Sequence, residues 1–122
     1  MSLSSVQIAV GFVAVIHAGI ALIEMLFWRK PLIHERLGFT QAEADKAAAI
    51  VANAGLYNLF IAGGLAWGAI AQNSATEIQT YFLACVIIAG LFGAATLKWT
   101  TLVLQTLPGI IALAVVWANK TG

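Results

Sequence analysis

The chain has 122 residues, of which 61% are hydrophobic and 9% charged, with a net charge of +1 and a mean hydropathy of +0.94. A soluble domain of this length needs far more charge to cover its surface, so that class is excluded. A balance this close to neutral gives no electrostatic footprint for nucleic acid, and the single cysteine, Cys85, excludes an internal disulfide or a cysteine-based metal cluster.

Four apolar stretches follow in order: Val6–Trp28, Ala47–Ala71, Ile78–Thr96 and Thr100–Ala118. Each is near or above the ~20 residues that cross a hydrocarbon core as a helix. The expectation is an all-α, polytopic membrane protein: one domain, 1–122, folded as a compact antiparallel bundle of four transmembrane helices. The first stretch lacks a basic leader and ends in Trp28-Arg29-Lys30, not at a small-residue cleavage site, so it reads as a retained span. Within it, His17 lies near the middle and Glu24 follows seven residues later, on nearly the same face and ~10 Å along the axis. A carboxylate at this depth has to be neutralised, paired or wet.

The connection 29–46 holds Arg29, Lys30, Arg36 and Lys46, and Lys98 marks the turn between spans three and four. Five of the six basic residues thus fall on one side, which predicts a cytoplasmic loop 29–46 and both termini outside. Pro31 stops the first helix, and Leu32, Ile33, Leu37 and Phe39 suit a short interfacial helix or turn ended by Gly38, with His34 and Glu35 in a solvated loop. Thr40 and Glu43 make a capping box that starts a helix at Gln41.

The second span supplies Asn53 at about the depth of Glu24, Tyr57 one turn farther on the same face, and Asn58 pointing partly elsewhere. Residues 72–77 form a short polar turn. The third span offers Thr80, Tyr81 and Cys85; the fourth offers Gln105, with Pro108 one turn later to free a carbonyl and kink the helix. His17, Glu24, Asn53, Tyr57, Asn58 and Gln105 are therefore the candidates for ligand binding or proton handling. Asn53 and Gln105 serve equally well as fasteners between helices. Gly55, Gly63, Gly64, Gly68, Gly90 and Gly93 are expected at close helix contacts, and Trp28, Trp67, Trp99 and Trp117 as interface anchors.

The order H-x6-EM-x2-W-x2-P, then AN-x-GLYN-x-F-x-AGG-x2-W, then Q-x2-P resembles a small bacterial four-helix membrane family catalogued as domain of unknown function thirteen hundred and four. The resemblance covers nearly the whole chain and falls on His17, Glu24, Met25, Trp28, Pro31, Gly38, Asn53, Gly55, Tyr57, Asn58, Gly63, Gly64, Gln105 and Pro108. Where that pattern has glutamine this chain has Ala54, and where it has glycine this chain has Thr106. The resemblance implies a bacterial inner-membrane protein and names no reaction.

Three functions stay open. The leading one is binding or transport of a small solute, a cation or an amphipathic molecule, by a homo-oligomer in contact with lipid. The second is a membrane enzyme acting on a lipid-soluble substrate, although H-E-x-x-H, G-x-S-x-G and phosphate-binding glycine loops are all missing from the sequence. The third is a structural or regulatory subunit. No cofactor is named by the residues: a metal needs more ligands than His17 and Glu24 provide, and His17 alone does not make a bis-histidine haem site.

Overall fold

Helix starts are set by local chemistry. Ser4 and Gln7 exchange side-chain and backbone hydrogen bonds ahead of α1, Ser5–Leu22, and Thr40 and Glu43 do the same ahead of α3, Gln41–Ile70. Between them lie a π-helical turn over Ile23–Phe27, the short α2 at Pro31–His34, and a 3-10 turn at Glu35–Leu37. Gly38 ends that turn at φ 80°, a left-handed conformation that glycine adopts without a Cβ penalty. Helix α4 spans Ala75–Thr96, starting three residues before the apolar run. The last helix begins at residue 100, passes through a second π turn at Leu102–Thr106 and continues as α5, Leu107–Ala118.

The computed structural model describes residues 2–120, and among these there is no strand. Three helices, Ser5–Phe27, Gln41–Ile70 and Ala75–Thr96, are long and apolar enough to cross a membrane, and Leu102–Ala118 is apolar but shorter. The chain is thus an all-helical, polytopic membrane protein. Its helices pack α1 on α3, α3 on α4, α4 on α5 and α5 back on α1, closing a four-sided up-down-up-down bundle. One end carries the loop 29–40 and the α4–α5 turn, joined where Lys98 Nζ donates to the Arg36 carbonyl at 2.7 Å. That end holds five of the six lysines and arginines and is called the basic end below.

The hydrophobic core occupies the other half. Val10, Val13, Ala14, Leu65, Leu83, Val86, Ala112 and Val116 form its buried cluster. Toward the basic end the inward stripes of α3 and α4 loosen. On α3, Leu65 is fully buried, Ile61 and Asn58 are half-buried, and Ala54, three turns away on the same stripe, is exposed. On α4 the series Leu83, Val86 and Gly90 is buried and Gly93 half-buried, and Leu97, just past its end, is exposed. The buried residues between this core and the loop, Ala21, Gly55, Gly90 and Thr106, are small and sit at contacts within the α1–α3 pair or the α4–α5 pair. Each π turn packs on its own pair partner and makes at most marginal contact with the opposite pair. The two pairs therefore part toward the basic end.

Three expectations need correction here. His34 is not solvated: it is buried, its Nδ1 donates to the Phe39 carbonyl at 2.9 Å, and Nε2 lies 3.1 Å from Gln41 Oε1. Trp28, expected as an interface anchor, instead packs into the protein: it is buried, donates from Nε1 to the Ala44 carbonyl and meets Phe39 edge-on. Trp28, through the Ala44 carbonyl, and His34, through the Gln41 side chain, tie the loop to the first turns of α3. Among the described residues Gly63 makes no close contact, since a Cβ there would meet nothing within 4 Å, whereas the other five glycines singled out all face another helix or turn.

Candidate intramembrane site

Two of the six candidate side chains sit on π turns, Glu24 on the first and Gln105 on the second. The second turn has a local cause. Pro108 has no N–H for the carbonyl of Leu104, and Leu107 N–H bonds instead to the Leu102 carbonyl, five residues back. Each π turn is met by a glycine on its partner helix. A Cβ at Gly55 would lie 2.7 Å from Met25 Cγ and 3.1 Å from Glu24 Cβ; one at Gly90 would strike Thr106 Oγ1 and lie 3.0 Å from Gln105 Cβ. Only glycine admits these wide turns so close to a neighbouring backbone.

Glu24 is half-buried and accepts one hydrogen bond, from Asn58 Nδ2 to Oε1 at 2.6 Å. Among the described residues no cationic group lies within 4.0 Å of it; the one ion pair there, Arg29 with Asp45 at 4.0 Å, is outside the bundle. The partner is Asn58 and not Asn53 because side chains lean toward the N-terminus of their own helix. Glu24 leans toward the sealed half, and Asn58, on antiparallel α3, leans back to meet it. Asn53 and Tyr57 are exposed and lie on a different stripe, the one that reaches α4 at Gly64 and Gly68. Tyr57 is 62% exposed and packs edge-on against Phe60.

His17 lies where the sealed half ends, 1% exposed. Its Nδ1 is 3.0 Å from the Val13 carbonyl, which only accepts, so Nδ1 carries a proton and Nε2 is the acceptor of the neutral ring. Nε2 is buried without a partner in hydrogen-bond geometry, although the Gln105 side chain lies against the imidazole. An orphaned buried acceptor is rare and costly. The six candidates thus resolve into a Glu24–Asn58 bond between α1 and α3, a His17–Gln105 approach between α1 and the last helix, and two exposed groups, Asn53 and Tyr57, on α3.

Other buried polar residues carry no signal of their role in the sequence. Gln79 donates to the Gly68 carbonyl at 2.8 Å and Thr106 to the Ile87 carbonyl at 3.2 Å. These fasten neighbouring helices, and nothing in their sequence context separates them from exposed polar residues. Among the described residues no group of three His, Cys, Asp or Glu side chains is placed to hold a metal. Grooves of about 390 and 150 Å³ run along α5, lined by apolar residues such as Ile110, Ile111 and Trp117, and neither touches His17, Glu24 or Asn58.

Comparison with known proteins adds one match to this geometry: a family described as "Protein of unknown function (DUF1304)" aligns with residues 11–117. No curated protein and no solved structure matches the chain.

Proposed function

The chain belongs to the DUF1304 family of proteins of unknown function, and we propose that it binds, and in a membrane carries, a small cationic or amphipathic solute in the unsealed half of its bundle. The observation that carries this reading is Glu24: a half-buried carboxylate in a membrane-length helix, with one amide donor and no counter-charge among the described residues. A carboxylate in such a place is costly, and glutamine would fasten Asn58 as well. A second group, His17 Nε2, an acceptor in the neutral ring, is faced by the Gln105 side chain and lacks a partner in hydrogen-bond geometry among the described residues. Both groups call for a donor-rich partner.

In this reading the basic end faces the cytoplasm of a bacterial inner membrane, with both termini outside, because basic residues are retained on that side. The buried core closes the outer half, the solute occupies the inner half, and the protein assembles as a homo-oligomer. A purely structural subunit is a weaker reading, since it calls for no carboxylate with unfilled acceptor capacity, and an enzyme is weaker because no catalytic motif accompanies Glu24 in the sequence.

Native mass spectrometry from mild detergent tests the proposal. Wild type is expected to carry a stoichiometric extra mass that Glu24→Gln lacks at an unchanged subunit count. Wild type and variant that are equally empty, and equally inactive in liposome uptake, would overturn the binding and transport reading.

A further inference from the structure

We propose that the solute is a single-chain amphiphile with an amine head, and that it enters sideways, from the bilayer, through the gap between α3 and α4 at the basic end. The inference rests on the reading of Glu24 as a binding group. Asn53, Tyr57, Gly64 and Gly68 are spaced by four, seven and four residues and so share one stripe of α3. At Gly68 that stripe is in contact with α4, where a Cβ would lie 2.9 Å from Gln79 Cγ, and at Gly64 it would strike the Phe82 ring. Two turns farther toward the basic end the same stripe is open: Tyr57 and Asn53 are exposed, and Ala54 beside them is exposed as well.

The opposite wall explains the opening. Phe82 on α4, whose ring reaches Gly64, is followed two turns on by Ala89, which is exposed and far shorter than a phenyl ring, while Gly93 beyond it turns toward Thr101 of the last helix and not toward α3. The gap therefore lies at hydrocarbon depth, yet it carries a phenol hydroxyl and an amide that make no hydrogen bond among the described residues. Water is absent from that layer, and polar groups facing it need partners. Asn58, the next residue after Tyr57, holds Glu24. An ammonium group offers a positive charge and three donors to Glu24, and the Tyr57 hydroxyl and Asn53 amide, one stripe away, would line its way in. Its alkyl chain would lie in the gap beside Phe60 and extend into lipid. A fully hydrated cation has no use for a side opening of this kind.

The test uses the full chain in phosphatidylcholine vesicles and, as probe, dodecylamine carrying a photoactivatable diazirine midway along its chain. Labelled peptides are mapped in wild type, Glu24→Gln and Ala89→Trp, with Ala89→Leu as a milder plug should the tryptophan variant not fold. The expected result is labelling concentrated in residues 53–61 and 85–93, competed by unlabelled dodecylamine but not by methylammonium, and reduced roughly tenfold in both variants. Loss in Glu24→Gln with full labelling in both Ala89 variants would overturn the lateral route while leaving the carboxylate site standing. Competition by methylammonium would do the same, by placing entry on the aqueous side. Equal labelling of all exposed helix faces, unchanged in every variant, would overturn both.

Discussion

Glu24 and His17 show how much one side chain reveals when its partners are counted. Asn58 gives the carboxylate its one direct donor at 2.6 Å, so Asn58→Leu removes that donor without removing the costly acceptor. Interhelical hydrogen bonds in membranes are modest, and the expected loss of stability is about 1 kcal/mol, read from unfolding in mixed micelles. His17 gives the opposite prediction. Because Nε2 is already unpartnered, His17→Phe removes an orphan and keeps most of the volume, so stability is expected to hold within about 1 kcal/mol. A loss of several kcal/mol in the same assay would show that Nε2 is satisfied, by Gln105 or by a bound molecule.

At the scale of elements, the lengths and starts of the helices are legible in the sequence. Long apolar runs mark the spans, and Thr40 with Glu43 marks the start of α3 to the residue. Pro108 signals a disturbance in the last helix, which takes the form of a π turn. The π turn at Ile23–Phe27 is not legible, because no proline or glycine within it marks the widened register. Spacing places Asn53 and Asn58 on one helix near Glu24, but the choice of partner depends on which way each side chain leans, and Asn58 wins. The burial of His34 escapes the sequence because a histidine in a charged loop has no signal for the backbone acceptor it finds, the Phe39 carbonyl. The glycines offer a clean comparison: Gly90→Ala drives a methyl into Thr106, and Gly63→Ala drives one into open space. The first is expected to cost about 1–3 kcal/mol and the second less than about 0.5 kcal/mol, measured side by side by denaturant titration.

The molecule as a whole is an uneven bundle. One half is sealed by Leu65, Leu83 and their neighbours, while the half at the basic end keeps small residues at its pair contacts and leaves the inward stripes of α3 and α4 open. The Lys98–Arg36 bond is a direct polar link between the two helix pairs at that mouth. Being exposed, it is expected to matter little for stability, about 0–1 kcal/mol in Lys98→Met. The polar layer in this half is visible in the sequence, but its opening is not, since burial depends on how far apart the pairs stand and not on any one residue.

The most direct test of that asymmetry is electron paramagnetic resonance of single spin labels in a Cys85→Ser background, placed at Ala54 on the open stretch of α3 and at Ala112 in the core. The expected result is a mobile spectrum at Ala54 with free collision with dissolved oxygen, against an immobilised, shielded label at Ala112. A label at Ala54 as immobilised and shielded as the one at Ala112 would mean the bundle is sealed along its whole length, and the site described above would have no room for a solute.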